Sequence, residues 1–277
     1  MNAAFIKEVG LVRWVLRTCI RQFFKRVARR DHYMTLPTGR RFLLPITSRF
    51  ATEAFVTNGD VDWGSEQLLY ALLSGSGSFL DIGAKIGYYA QYMRPKCEVH
   101  CFEPDPRMLT KLRTSVGAEA GVYVVPTAMG AQVGVGRFTL EPDGEVSHLE
   151  RNTDAETGTS IEVEIDTVDH FVASQGLQVE AIKTDVEGFD IEVLRGAHAT
   201  MRDHRPFVLS ETAPSSELFE LMHAVRYCVY AFVRQKQSRA KQFRMLDRNF
   251  DAPDYSTKML FLIPEEKQKQ IERLATV

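Results

Sequence analysis

The body of the chain alternates short apolar runs with segments whose apolar residues recur at helical spacing. Apolar runs at residues 78–82, 98–103 and 122–127 predict strands, and amphipathic patterns at 87–93 and 105–116 predict the helices between them. Strands that alternate with helices in this way form a parallel sheet with right-handed crossovers. We therefore predict an α/β fold with a doubly wound, Rossmann-like sheet.

The alternation is interrupted once and then returns. Residues 136–168 hold two apolar runs that flank a polar stretch, which predicts an antiparallel excursion with a mobile loop. Further apolar runs predict strands at 181–184, 207–210, 227–233 and 258–263, with helices at 190–201 and 216–224 and a basic loop before the last strand. The last two strands suit an antiparallel C-terminal edge, so we predict a mostly parallel sheet of seven strands.

Residues 5–30 show a different pattern, with apolar residues at helical spacing on one face and arginines on another. They predict one long, basic, amphipathic helix, and a short hairpin follows at 33–45. We expect residues 1–60 to hold this helix and hairpin and residues 61–277 to form the main domain, in which Asp62 caps a helix. Two uses of the N-terminal helix stay open: packing on the domain or in a homodimer, and peripheral contact with an anionic membrane.

Composition changes this picture mainly at the N-terminus. The 277 residues carry a formal net charge of -2, yet residues 1–41 hold ten Lys or Arg and only two acids, which leaves the body acidic. An acidic body argues against a nucleic-acid partner. Four scattered cysteines do not form the disulfide framework of a secreted protein, and no apolar run is long enough to cross a bilayer. We expect a cytoplasmic protein, with a peripheral position on the inner face of the membrane as the open alternative.

Residues 79–89 read Phe-Leu-Asp-Ile-Gly-Ala-Lys-Ile-Gly-Tyr-Tyr, a strand that ends in an acid, turns through two glycines and enters a helix. Ligands of such sheets bind beyond the carboxyl ends of the strands, where glycines allow close approach to the backbone. A dinucleotide site would space its glycines as Gly-x-Gly-x-x-Gly, whereas Gly83 and Gly87 are four residues apart. Asp81 would repel a pyrophosphate but can accept hydrogen bonds from a cationic amino-acid group. The turn therefore favours S-adenosylmethionine over a nicotinamide dinucleotide.

The next strands add further candidates to this edge of the sheet. Glu103 ends the second strand, where a carboxylate can accept both ribose hydroxyls of an adenosine, and Ala128 follows the third strand beside the adenine. The candidate cofactor-binding residues are Asp81, Gly83, Ala84, Gly87, Tyr88, Glu103, Pro104, Ala128 and Asp185.

These residues belong to an ordered set of motifs that resembles the FkbM family of methyltransferases. The set comprises the turn at 81–89, Glu-Pro-x-Pro at 103–106, Lys-x-Asp-Val-Glu-Gly at 183–188 with Leu-x-Gly-Ala at 194–197, and Pro-x-x-x-x-Glu at 206–211. The resemblance covers residues 62–215. It implies a class I methyltransferase fold, S-adenosylmethionine as the cofactor, and O-methylation of a hydroxyl on a sugar, glycolipid or polyketide-like small molecule.

One position departs from the family pattern, since Lys85 stands where the family usually carries Asn. A lysine beside a sulfonium is electrostatically unfavourable unless it points to solvent or pairs with an acid. An acid such as Asp81 or Glu103 would provide this pairing.

Three acids follow the fourth and fifth predicted strands and should converge on the cofactor edge: Asp185, Glu187 and Glu211. A hydroxyl acceptor must lose its proton, either to a carboxylate or His or through a divalent cation that lowers its pKa. We expect Asp185 nearest the transferred methyl group, with Glu187 and Glu211 as pocket or base residues. Two alternatives stay open: a Mg²⁺ ion held by Asp185 and Glu211, and a structural role in which Asp185 and Glu187 only cap a turn and a helix.

The sequence leaves a second class of function open. A noncatalytic binder of S-adenosylmethionine or S-adenosylhomocysteine would use the same turn and would associate with a membrane or a partner through the basic helix. An enzyme would bind a small-molecule or glycan acceptor in addition. Product formation separates the two.

Overall fold

A computed structural model describes residues 9–141, 147–150, 159–236, 240–250 and 254–275. In chain order, its strands are β1 (His32–Thr35), β2 (Arg41–Leu44), β3 (Ser78–Ile82), β4 (Val99–Phe102), β5 (Val122–Val125), β6 (Ala128–Met129), β7 (Gly134–Leu140), β8 (His148–Leu149), β9 (Thr159–Asp166), β10 (Val179–Thr184), β11 (Phe207–Ser210), β12 (Tyr227–Gln235), β13 (Lys241–Leu246), β14 (Tyr255–Ser256) and β15 (Leu260–Pro264). The α-helices are α1 (Leu11–Phe23), α2 (Arg49–Thr57), α3 (Ser65–Leu72), α4 (Tyr88–Met93), α5 (Pro106–Val116), α6 (Val168–Gln175), α7 (Asp190–Arg195), α8 (His198–His204), α9 (Ser216–Ala224) and α10 (Gln268–Ala275).

The main sheet runs in the order β13-β12-β15-β11-β10-β3-β4-β5, with β14 added to β12. Strands β3, β4, β5, β10 and β11 are parallel to their neighbours within this group, whereas β15, β12 and β13 pair antiparallel. The strand order reverses between β3 and β10, and such a switch point opens a crevice for ligands. The doubly wound α/β architecture and its antiparallel C-terminal edge are thus as predicted.

The predicted count of seven strands is wrong, because the described part of the main sheet holds nine. The basic segment before the last strand, which the sequence suggests is a loop, forms β13, where Phe243 stacks on Tyr230 at a ring distance of 5.5 Å. Lys241 and Arg244 are exposed, and such charged side chains are typical of edge strands as well as of loops. The sequence pattern therefore indicated a loop.

The predicted antiparallel excursion forms a separate sheet in the order β6-β9-β7-β8. It carries its own small core, in which Phe138, Leu149 and Val163 are buried. The mobile loop predicted here falls largely on residues 142–146 and 151–158, which lie outside the described residues.

Alternate side chains of the main sheet enter two hydrophobic cores, one on each face. Phe79 and Leu209 face one core, whereas Leu80 and Val208 face the other. The first core also contains Phe42 of the hairpin and Ala51 of α2, so residues 32–57 share a core with the domain that follows them.

The N-terminal region forms the predicted hairpin, in which β1 and β2 pair antiparallel. Of the helix predicted at 5–30, residues 5–8 lie outside the described residues, and the rest contains the α-helix α1 at Leu11–Phe23 and a π-helical turn at Phe24–Ala28. The helix packs on the domain, which is one of the uses left open, but it does so through the buried Arg21, while Leu16 is exposed. None of the helices in the described ranges is both long and apolar enough to cross a membrane.

Asp62 does not cap the helix that follows it. That helix, α3, begins at Ser65 after Gly64, which supplies no side-chain cap. Asp62 instead accepts a hydrogen bond from the Tyr89 hydroxyl at 2.7 Å, because the left-handed backbone at Trp63 and Gly64 separates it from the helix.

Candidate active site

The turn after β3 reverses tightly through three left-handed residues, Gly83, Lys85 and Gly87, before α4 begins at Tyr88. The backbone N–H groups of Gly83 and Ala84 both donate to the Phe102 carbonyl at 3.0 Å, which ties the turn to β4. A Cβ atom on Gly83 would lie 2.1 Å from the Asp185 carbonyl oxygen. Only glycine therefore lets the turns after β3 and β10 touch at the switch point.

Two cavities meet at this turn. The first cavity, with about 480 Å³ of space free of protein atoms including its open mouth, lies beside β4 and the small sheet, and the second cavity, with about 1030 Å³ measured in the same way, lies beneath α2 and α4. Gly83, Lys85 and Asp185 line both cavities and form the wall between them.

The first cavity is mainly apolar and has one buried carboxylate at its edge. Glu103 accepts hydrogen bonds from the N–H groups of Lys85 and Asp105, both at 2.9 Å. Burial raises the pKa of Glu103 to about 7. The other walls include Phe102, Pro104, Ala128, Met129 and Leu149. A mainly apolar cavity with a fixed carboxylate acceptor at its edge suits an adenosine.

One of the acids that line the second cavity is buried and has no hydrogen-bond partner among the described residues. Asp81 is 1% exposed, and neither of its carboxylate oxygens accepts a hydrogen bond from a described residue. Its ion-pair partner is the ammonium of Lys183, which lies 3.6 Å from Oδ1. Burial raises the pKa of Asp81 despite this lysine. A buried acceptor without a donor, at the end of a strand and lining a cavity, fits the cationic amino group of a ligand.

A chain of ion pairs crosses the wall between the cavities. Lys183 Nζ donates to the Gly83 carbonyl at 2.9 Å and lies 3.5 Å from Asp185 Oδ2. Burial alone would raise the pKa of Asp185, but Lys183 and Lys85 outweigh it and hold that pKa below its ordinary value. Asp185 is therefore an ionised and weakly basic carboxylate.

Lys85 does not pair with the acids that the sequence suggested. Its ammonium donates to Asp185 Oδ1 at 3.0 Å and to Glu187 Oε1 at 2.9 Å, and only its backbone N–H reaches Glu103. The expected pairing with Asp81 or Glu103 is wrong, because the side chain extends across the turn toward β10. The left-handed backbone at Lys85, with φ of 50°, is a conformation in which Asn is enriched, and the family usually carries Asn here.

Glu211 completes the group of three acids. Its N–H donates to the Thr184 carbonyl at 2.9 Å, and the residue, although exposed overall, lines the second cavity together with Asp185. Burial of the carboxyl and the Asp185 charge raise the pKa of Glu211 above its ordinary value. The structure thus brings Asp185, Glu187 and Glu211 together. Glu187 pairs with Lys85 and does not cap the next helix, because α7 begins after Phe189 without a side-chain cap.

The arrangement does not suit a divalent cation. Across the described residues, no group of three or more His, Cys, Asp or Glu side chains is positioned to hold a metal ion. Asp185 is already neutralised by Lys85 and Lys183, so Asp185 and Glu211 do not offer the pair of free carboxylates that Mg²⁺ prefers.

The remaining predicted residues take different positions. Pro104 and Ala128 line the first cavity, and Ala84 lines the second. Gly87 precedes α4 and packs against α5. The Tyr88 hydroxyl donates to the Gly59 carbonyl at 2.8 Å, so this buried ring mainly supports the wall of the second cavity.

Sequence reasoning missed several residues of the second cavity. Lys258 Nζ donates to Glu53 Oε1 at 2.9 Å and to the Val61 carbonyl at 2.7 Å, and Arg49 lines the same space. Asp62, with the hydrogen bond from Tyr89, has its pKa raised by burial. The Gly-Tyr-Tyr motif indicated Tyr89 as a residue near the site. Arg49, Asp62 and Lys258 lie outside the motifs, so no sequence pattern indicated them.

The chain is similar to known methyltransferases over more than half of its length. A family model described as the methyltransferase FkbM domain matches residues 81–240. The chain is 27% identical over 186 residues to the hexuronic acid methyltransferase AglP of Haloferax volcanii, and the match covers 62% of this chain and 76% of that relative. It is 28% identical over 161 residues to the 2-O-methyltransferase NoeI of Sinorhizobium fredii, with coverage of 51% and 65%. A crystal structure of methyltransferase FkbM from Methylobacillus flagellatus aligns with a TM-score of 0.41 and 16% identity over 76% of this chain and 52% of that one.

Proposed function

Because the chain belongs to the FkbM methyltransferase family, we propose that it transfers a methyl group from S-adenosylmethionine to a hydroxyl oxygen of a sugar or glycan acceptor. The observation that carries this proposal is the meeting of two unlike cavities at the Gly83 turn. One suits an adenosine, and the other is lined by titratable groups that can handle an acceptor and its proton.

The chain's own residues suit S-adenosylmethionine at three points. Glu103 would accept hydrogen bonds from the ribose hydroxyls, the apolar slot beside Met129 would hold the adenine, and Asp81 would accept from the amino group. When bound, the cofactor supplies a methyl group on a positively charged sulfur. The ion pairs of Asp185 with Lys85 and Lys183 offset the charge of these two lysines beside a positively charged sulfur.

Glu211 is the residue best suited to take the proton of the acceptor. A carboxylate with a raised pKa is a stronger base than Asp185, whose pKa the lysines hold low. The bound cofactor would supply the methyl group and leave as neutral S-adenosylhomocysteine, and the Glu211 carboxylate would take the proton of the acceptor hydroxyl. Asp185 and Lys85 then act as positioning residues that fix the charge around Glu211.

The polar lining of the second cavity supports a hydroxylated acceptor over an apolar one. Acids and cations from four segments face this space, among them Arg49, Glu53, Asp62 and Lys258. Two relatives named as a hexuronic acid methyltransferase and a 2-O-methyltransferase support the same choice. A purely apolar polyketide-like acceptor would displace water from these polar groups without offering them hydrogen bonds.

An enzyme is favoured over a noncatalytic binder, because three acids converge beside the turn. Each function makes a distinct prediction. In a thermal-shift panel we expect S-adenosylmethionine and S-adenosylhomocysteine to raise the Tm, and NAD and NADP to leave it unchanged. We also expect label from methyl-labelled S-adenosylmethionine to appear on a hexuronic acid oligosaccharide. A stabilising effect of NAD alone would overturn the cofactor assignment, and cofactor binding without transfer to any sugar acceptor would favour the noncatalytic binder.

A further inference from the structure

Helix α1 packs against the domain with its arginines and turns its apolar residues to solvent. Arg21 is fully buried, and its guanidinium donates to the carbonyls of Leu44 at 3.1 Å and Pro45 at 2.5 Å and to Thr52 Oγ1 at 3.2 Å. Arg17 donates to the Phe55 carbonyl on the same side. The amphipathic pattern of α1 is therefore inverted with respect to an ordinary surface helix, whose apolar stripe faces the core.

The opposite side of the helix and its π-helical turn forms a continuous apolar stripe. Val12 is 80% exposed and Val27 is 69% exposed. We call this stripe the docking face, and it consists of Leu11, Val12, Val15, Leu16, Ile20, Phe23 and Val27. Contiguous apolar surface of this kind marks an interaction site, and the hydrogen-bonded arginines fix the direction in which it points.

The charges around the docking face select the kind of partner. Residues 11–28 contain no acid, and exposed arginines border the stripe at positions 13, 26, 29 and 30. A second copy of the chain would bring two sets of these arginines together, which opposes association. An anionic lipid surface would accept the apolar side chains and neutralise the arginines at the same time.

We propose that the docking face binds an anionic lipid bilayer, with α1 lying in the plane of the interface. This proposal is independent of methyl transfer. The bound bilayer would lie close to the second cavity, because α2 stands between them. Thr52 and Phe55 of α2 contact the arginines of α1, while Phe50 and Glu53 of the same helix line the second cavity.

Vesicle sedimentation of the full chain tests the proposal. We expect binding to phosphatidylcholine vesicles that contain phosphatidylglycerol, weak binding to phosphatidylcholine alone, and release as salt rises. Val12→Asp should weaken binding to the anionic vesicles by about tenfold, since it places a charge in the apolar stripe. Val12 lies in the first turn of α1, where an acid is tolerated, so folding should be preserved.

The matched control is Val135→Asp in β7, which makes the same change at a residue that is 62% exposed and outside the docking face. This variant should bind anionic vesicles like the wild type. The proposal is overturned if the wild type does not bind anionic vesicles at low salt, or if both variants bind equally well. It is also overturned if light scattering without vesicles shows a dimer that Val12→Asp converts to a monomer, because the face would then join two copies of the chain.

Discussion

The two cavities that meet at Gly83 differ in how the chain builds them. The first is lined by residues at or near the ends of β3, β4 and β10 and by the small sheet, and Lys85, Glu103 and Asp185 are its only charged lining residues in the described chain. The second collects six acids and four basic residues from positions between 49 and 258. The first cavity is thus a product of local turn geometry, whereas the second depends on tertiary packing.

This difference has electrostatic consequences. Glu103 in the first cavity is held by two backbone N–H groups, so its environment is set by the turn alone. In the second cavity, charged side chains shift the pKa values of their neighbours. The Asp185 charge raises the pKa of Glu211, and the Lys85 charge lowers the pKa of Glu211. Substitutions in the first cavity, and of Asp81 where the cofactor's amino group would reach the second, should therefore act on cofactor affinity, whereas those of the other titratable groups in the second cavity should act on rate and pH dependence.

The largest effect should come from Gly83, one of the residues that line both cavities. Gly83→Ala would place a Cβ atom against the Asp185 carbonyl and impose a left-handed conformation on alanine, so we expect the free energy of unfolding to fall by about 3 kcal/mol or more. Chemical denaturation measures this change. The matched control is Gly176→Ala, which shares the left-handed backbone but has no atom within 4 Å of the added Cβ. It should cost about 1 to 2 kcal/mol. Equal losses for the two variants would mean that the turns after β3 and β10 do not touch.

Glu211→Gln should mainly affect the second cavity. Because Glu211 must be deprotonated to accept the acceptor proton, and its pKa is raised, the wild-type kcat should increase as pH rises through that pKa. The variant should lose this rising limb and lower kcat by about 100-fold at high pH, with cofactor affinity unchanged. A pH series of kcat at saturating substrates checks both effects. A wild-type limb that persists in the variant would assign the proton to another group, with Asp62 as the next candidate.

A smaller effect is expected from Lys85→Asn. Asn suits the left-handed backbone and retains the N–H that donates to Glu103, so cofactor binding should persist. Loss of the ammonium removes a charge that lowers the pKa of Glu211, so the rising limb of kcat should move to higher pH. At a pH below the limb this shift should reduce kcat by about tenfold. Lys269→Asn, an exposed residue of α10, is the charge-matched control and should leave the pH profile unchanged. An unshifted profile for Lys85→Asn would place Lys85 outside the proton path.

The sequence was most informative where function depends on contiguous residues. The glycine turn, the acid at residue 103 and the doubly wound order follow from patterns within short segments, because strand ends and turn glycines dictate where a ligand can approach. The acids at 185, 187 and 211 could be expected at one edge, because parallel strands end on the same side of the sheet.

Other features required the folded chain. The pairing of Lys258 with Glu53 joins residues 205 positions apart, and no local pattern indicates it. The sequence shows that a lysine at position 85 is unusual. That its ammonium pairs with Asp185 and not with Glu103 depends on the direction in which the left-handed backbone points the side chain. The inverted packing of α1 was also hidden, because a helical pattern reveals two faces but not which one contacts the domain.

Calorimetric titration with S-adenosylmethionine tests the division between the two cavities most directly. Three proteins are compared: the wild type, Glu103→Gln in the first cavity and Asp62→Asn in the second. We expect the wild type to bind one equivalent, Glu103→Gln to bind about tenfold more weakly because it loses a charged acceptor, and Asp62→Asn to bind like the wild type. Absence of binding to the folded wild type, or an equal loss of affinity in both variants, would contradict the assignment of the first cavity to the cofactor and the second to the acceptor.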